Sequence, residues 1–247
     1  MESTRHDNRI VFRAAARAIG SNNRRWVDFQ KVERKLAEET GGFDPTYTAK
    51  RGDEGTAAMK ALLKGLTSTR DSDAIMHWAR RLDVPDSFNA CLLDWRRLIA
   101  SSAAQRGVTL SHPELTAVIA LALGAPGAHL QSGPFPLKAP GMGPTLASEF
   151  LRNLGWSGFK PDRHVMRLFG CWFPEDGSIR ARARTLLSLL GLREEKAHLD
   201  FLYYSLLGAE RSPGGMPVRQ VDNLVWLYGA MVMPAPRKAP AQPRRTT

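Results

Sequence analysis

The segment Lys138-Ala139-Pro140-Gly141-Met142-Gly143-Pro144-Thr145 reads as a tight turn that feeds a helix. Glycines at 141 and 143 permit a positive φ and the close approach of another backbone. Pro144 suits the first helical position, and Leu146, Ala147, Phe150, Leu151 and Leu154 then make an apolar face that ends at Gly155. A turn of this kind leaves backbone N–H groups free at a helix N-terminus, where the aligned peptide dipoles favour an anion such as a phosphate. From the turn alone, an ordinary corner between helices is the favoured reading. Further on, Lys160-Pro161-Asp162-Arg163-His164-Val165-Met166-Arg167 opens a second helix. Asp162 is placed to cap it, and the helix N-terminus favours the ionised carboxylate. An anion fixed there can stabilise a positive charge that develops beside it, or align a water.

These residues sit in a chain whose pattern is helical nearly throughout. Ile10, Phe12, Ala16 and Ile19 suit a first helix, and Trp26, Phe29, Val32 and Leu36 make an amphipathic stripe. Residues 40–55, rich in Gly, Asp and Thr, read as a long loop. Ala58, Leu62, Leu63 and Leu66 mark a helix from near Gly55. Ser72 and Ser87 are expected to cap the next two, the second with Phe88, Cys91, Leu92, Trp95 and Leu98 on its face. Ser111-His112-Pro113-Glu114 has the spacing of a capping box before a strongly apolar helix running to Leu123. Later helices are expected over 144–154, 163–170, 179–190, 194–207 and 217–230. No stretch alternates with period two between turns, so no sheet is expected. The expected fold is all-α, with about ten helices.

Composition narrows the function classes. The 247 residues carry 35 Lys+Arg against 24 Asp+Glu, a net charge of +11. Residues 131–247 hold 16 of the basic and 9 of the acidic side chains, so most of the excess lies in the C-terminal half. A basic excess points to a polyanionic partner, most often nucleic acid, the alternative being solubility alone. A hydrophobic share of 43% excludes a disordered chain. No apolar run reaches the ~18 residues that span a bilayer, and MESTRHDNRI has no apolar core of a signal peptide. Cys91 and Cys171 are too few for a disulfide framework, and they read as reduced core thiols of a cytoplasmic protein. The six histidines and two cysteines show no metal-ligand spacing. The tail 233–247, with four prolines and four basic residues, is expected to be disordered.

Taken together, Gly-Met-Gly, a helix ending in Leu-Gly, and Pro-Asp-x-His-Val-x-Arg resemble the helix-hairpin-helix DNA glycosylase superfamily over residues 138–167. The resemblance implies a two-lobed helical protein: an N-terminal lobe over 1–130 and a hairpin-bearing catalytic lobe over 131–232, meeting at a cleft. It implies that the hairpin binds the backbone of double-stranded DNA, here through Lys138, Gly141, Met142, Gly143 and Thr145. Arg163, His164 and Arg167 would touch phosphates. Asp162, nineteen residues after Gly143, matches the family's catalytic carboxylate. Such an enzyme flips a base out of the duplex and hydrolyses its N-glycosidic bond, and Asp162 would stabilise the oxocarbenium-like sugar. It would work as a monomer, away from any membrane.

The chain departs from the family in several places. Pro134, Pro136 and Pro140 interrupt the approach to the hairpin, so its first helix must be shortened or displaced. Thr145 stands where members that also cleave the strand carry a lysine nucleophile, and the four-cysteine cluster of some branches is absent. The resemblance therefore implies a hydrolytic enzyme without a cofactor, save that some family hairpins hold a monovalent cation on backbone carbonyls. On the last expected helix, Asp222 and Trp226 lie four apart, similar to the archaeal 8-oxoguanine branch, where such a pair meets the flipped base. Trp26 joins them as a candidate wall of that pocket. Asp222 and Trp226 could equally be core, with Asp222 paired to an arginine. Two other functions fit the same residues: a non-enzymatic DNA-binding protein that keeps the hairpin, and a lyase with a displaced lysine.

Overall fold

A computed structural model describes residues 7–21, 26–64, 69–83, 87–130, 133–134 and 138–233. Its described elements are all helical apart from one pair of two-residue strands. In chain order they are α1 (Asn8–Gly20), α2 (Trp26–Glu39), α3 (Pro45–Lys50), α4 (Gly52–Leu62), α5 (Thr69–Leu82), α6 (Ser87–Gln105), α7 (His112–Gly124), β1 (His129–Leu130), β2 (Gly133–Pro134), α8 (Pro144–Asn153), α9 (Arg163–Trp172), α10 (Gly177–Leu189), α11 (Lys196–Glu210) and α12 (Val218–Leu227). A π-helical turn, Tyr228–Val232, continues α12.

The core is organised around α7. Its N-terminus carries the full capping box: Ser111 Oγ accepts the Glu114 N–H at 3.4 Å, and Glu114 Oε2 accepts the Ser111 N–H at 2.7 Å. Every residue from Leu115 to Gly124 is buried, so this helix is apolar on all sides and lies inside the bundle. Burying a Leu, Ile or Val side chain is worth about 1.5–3 kcal/mol, so Val118, Ile119, Leu121 and Leu123 make α7 the main apolar anchor. α6, α8 and α11 pack on it, and α1 packs on both α8 and α5. Gly124 permits the closest of these approaches: a Cβ there would lie 2.2 Å from Pro144 N. The end of α7 thus abuts the start of α8.

Several local readings change. Residues 40–55 are not a loop but contain α3 and the start of α4. Asp44 caps α3 by accepting the Tyr47 N–H at 3.0 Å, with Pro45 in its first turn, and Gly52 at φ +53° is the first residue of α4. Ser72 lies inside α5, which begins at Thr69, and it is buried. On α6, Trp95 is buried but Leu98 is exposed, and the Phe88, Cys91 and Leu92 side chains lie outside the described residues. A short antiparallel ladder, His129 opposite Pro134 and Leu130 opposite Gly133, occurs where no strand was expected. Cys171 is exposed near the end of α9, not a core thiol. The tail 234–247 lies outside the described residues. No described helix is long and apolar enough to cross a membrane.

Candidate functional site

The turn before α8 is held from beneath by two helices. The Ala139 N–H donates to Leu123 O of α7 at 2.8 Å, and the indole Nε1 of Trp78 on α5 donates to Pro140 O at 3.1 Å. Met142 N–H closes the turn on Ala139 O at 3.3 Å. Pro140 and Gly141 occupy its two central positions, and Gly141 has φ +68°, which is the glycine requirement of a type II turn. A Cβ at Gly141 would meet Ala74 Cβ at 2.4 Å, so this glycine is also the point of contact with α5. Met142 is 1% exposed; its side chain belongs to the core, and only its backbone is left to face a ligand.

Gly143 differs from Gly141. It is extended, at φ −86° and ψ 176°, and a Cβ there would meet nothing within 4 Å. It is the N-cap of α8 and supplies no side-chain hydrogen bond to the helix start. Pro144 has no N–H, so the Thr145 and Leu146 amides form the positive end of α8 beside an open surface. Lys138 folds back over this turn, and its ammonium donates to Ala139 O at 3.2 Å and to Met142 O. Burial lowers its pKa from the usual lysine value.

Asp162 lies across from that helix start. It is the N-cap of α9, and its Oδ1 accepts the N–H groups of His164 at 2.8 Å and Val165 at 3.0 Å. The expected cap is therefore present, with both bonds on one carboxylate oxygen. The approach to Asp162 is gripped by one face of α8. Thr145 Oγ1 donates to Pro161 O at 3.5 Å, Ser148 Oγ donates to Phe159 O at 3.3 Å, and Glu149 pairs with Lys160 Nζ at 3.2 Å. Positions 145, 148, 149 and 152 share a helix face, and the last of them is Arg152. Arg152 is buried and bonds Asp222 at 2.6 Å, Glu149 at 3.0 Å and Asn223 Oδ1 at 2.8 Å. Asp222 in turn accepts the Lys160 N–H at 2.9 Å, and Lys160 O accepts the Asp162 N–H at 2.9 Å.

This arrangement moves Asp222 out of reach of a base. It is 1% exposed, and each of its oxygens is engaged, one by Arg152 and the other by the Lys160 N–H, so it holds a loop instead of lining a pocket. Burial pushes its pKa up to about 6, and the attraction of Arg152 only partly offsets that. Trp226 is half-buried and meets His164 edge-on, with ring centroids 6.3 Å apart. His164 Nδ1 lies 3.2 Å from Gly229 O, and its Nε2 receives Arg163 Nε at 3.4 Å. Arg167 donates to Gly229 O at 2.8 Å and to Met233 O. His164 and Arg167 thus fasten the π turn to α9, while Arg163 is exposed. Trp26 opens α2, but its side chain lies outside the described residues. An apolar groove lined by Trp172, Leu224, Val225, Leu227, Tyr228 and Val232 lies nearby, and neither Asp222 nor Trp226 contributes to it.

The site thus brings together Lys138, Gly141, Gly143 and Thr145 at one helix start, with Asp162, Arg163 and His164 at the next. Sequence reasoning missed Ser148, Glu149 and Arg152, whose i, i+3, i+4, i+7 spacing from Thr145 was the available signal. A resident monovalent cation would need convergent free carbonyls at the turn. The carbonyls of Ala139, Pro140, Met142 and Gly143 already accept from Lys138 Nζ and Met142 N, from Trp78 Nε1, from Lys138 Nζ and from Ala147 N respectively. Four of the five carbonyls of the turn are thus engaged by the chain's own donors, which makes the turn a poor fit to such an ion. Among the described residues, no group of three or more His, Cys, Asp or Glu could hold a metal. Comparison with known protein families, with curated proteins and with solved structures finds no match.

Proposed function

We propose that the chain is a monofunctional DNA glycosylase that flips a damaged or modified base from duplex DNA and hydrolyses its N-glycosidic bond. The observation that carries this reading is the seating of Asp162. Its Oδ1 is fixed by two backbone N–H groups at the start of α9, while the uncapped start of α8 is tied to the preceding residue through Thr145. One helix N-terminus would take a DNA phosphate, and the neighbouring carboxylate would face the sugar of the extruded nucleotide.

The division of labour follows from charge. Loss of the base leaves positive charge on C1′ of the deoxyribose, and a fixed anion lowers the energy of that state. Asp162 can also align the attacking water, or take its proton, through the oxygen that does not cap α9. Gly143, Thr145 and Lys138 would bind backbone and carry no sequence information. Thr145 has no amine to attack C1′, which favours hydrolysis over strand cleavage. His164 orients the start of α9 through Gly229 O, so it serves position and not proton transfer.

The test is mass spectrometry of bases released from duplexes carrying oxidised, alkylated or enzymatically modified bases. Release of a free base without strand cleavage supports the reading. Binding without release identifies a hairpin DNA-binding protein, and borohydride-trapped adducts identify a lyase.

A further inference from the structure

We propose that the Lys138 ammonium is a built-in cation for the turn Ala139–Gly143, so that this turn orders itself, and presents the start of α8 to a DNA phosphate, without a bound metal ion. The presentation half rests on the DNA reading above; the ordering half does not.

Four observations carry it. First, four of the five carbonyls of the turn, those of Ala139, Pro140, Met142 and Gly143, have a donor from the chain itself. Second, two of those carbonyls, Ala139 O and Met142 O, share the Lys138 ammonium. An ammonium offers three N–H donors and no acceptor, so it can bridge carbonyl oxygens as a small cation does. Third, the remaining contacts fix the turn from the core side: Trp78 holds Pro140 O, Leu123 O holds the Ala139 N–H, and Gly141 seats on Ala74. The open side is left to Lys138 and Gly143. Fourth, a positive charge beside a helix N-terminus is repelled by the positive end of the helix dipole. Among the described residues no carboxylate pairs with Lys138, and α8 has no acidic residue in its first turn to relieve that repulsion. An arriving phosphate relieves it.

The experiment compares wild type, Lys138→Met and Lys138→Arg in potassium chloride and in tetramethylammonium chloride at equal ionic strength. Tetramethylammonium is too large for a cluster of carbonyls. Melting temperature and affinity for an undamaged duplex are read in both salts. Wild type and Lys138→Arg are expected to melt at the same temperature and bind equally in the two salts. Lys138→Met is expected to melt lower and bind about ten-fold more weakly in tetramethylammonium, the size of one lost charge-assisted contact, with part of each loss regained in potassium. A wild type that melts lower or binds less in tetramethylammonium overturns the proposal, because the turn then uses an external ion. Lys138→Met that matches wild type in both salts also overturns it. If no form binds duplex, the DNA reading fails, while the melting temperatures still decide whether Lys138 orders the turn.

Discussion

Asp222 of α12 and Arg152 of α8 meet at 2.6 Å with side chains 2% and 3% exposed, and this pair holds the backbone that leads into Asp162. A buried pair offers modest net stability, but breaking it leaves one charge stranded. Arg152→Met should therefore cost about 3–5 kcal/mol, as measured by urea unfolding. Asp222→Asn, which keeps an acceptor for the Lys160 N–H, should cost clearly less. Equal losses in the two variants would mean that packing and not charge dominates there.

The same carboxylate makes stability depend on pH. Asp222 titrates near 6 in the folded chain against 3.8 as a free side chain. The folded state therefore holds this proton more tightly than the unfolded state does. The stabilisation from this group is fully present below pH 3.8, falls as pH rises toward 6, and is gone above. Relative to Asp222→Asn, wild type should lose stability between those two values and run parallel to it from about pH 7 upward. Parallel curves across the whole range would contradict the burial-driven shift.

The two glycines of the turn should separate folding from binding. Gly141→Ala places a side chain at φ +68° and 2.4 Å from Ala74 Cβ, so it should lower stability by at least about 1–2 kcal/mol. Gly143→Ala points into open space from an extended backbone and should leave the melting temperature unchanged. If that surface takes a phosphate, Gly143→Val should weaken binding to all duplexes alike, with wild-type affinity falling by about 0.9 log units per log unit of salt for each phosphate contacted. A Gly143→Val protein with wild-type affinity would move the DNA elsewhere.

Gly229 should tolerate no side chain. A Cβ there would lie 2.8 Å from Leu168 Cδ1 and 3.1 Å from His164 Cβ, and its carbonyl accepts from Arg167. Gly229→Ala should push the π turn away from α9, lower the melting temperature, and expose Trp226 to a fluorescence quencher. Unchanged quenching would mean that the turn gives way instead.

Local signals explain what the sequence made legible. The Ser111 box, Pro144 at a helix start, and Asp162 before Arg163 are all settled by contacts within four residues, and all three are present. The α3 helix is hidden because the Gly, Asp and Thr content of residues 40–55 reads as a loop, although Asp44 as N-cap with Pro45 in the first turn is also a helix start. The partner of Asp222 lies 70 positions away on α8, and a distance in space of that kind leaves no local pattern. Asp222 and Trp226 do share a spacing of four, yet burial separates them: one is closed in by Arg152, the other rests on His164. The Lys138 contact was equally out of reach, since a lysine beside a turn reads as a surface charge until its carbonyl partners are placed.

Single-turnover base release by wild type and Asp162→Asn bears most directly on the central claim. Asparagine keeps an oxygen for the His164 and Val165 N–H groups and removes the charge. The account expects wild type to free a modified base from duplex DNA. It expects Asp162→Asn to do so ~10²-fold more slowly or worse, with unchanged melting temperature and duplex binding as tight or slightly tighter. Release by Asp162→Asn at the wild-type rate would contradict the account, as would a wild type that releases no base from any duplex in the panel.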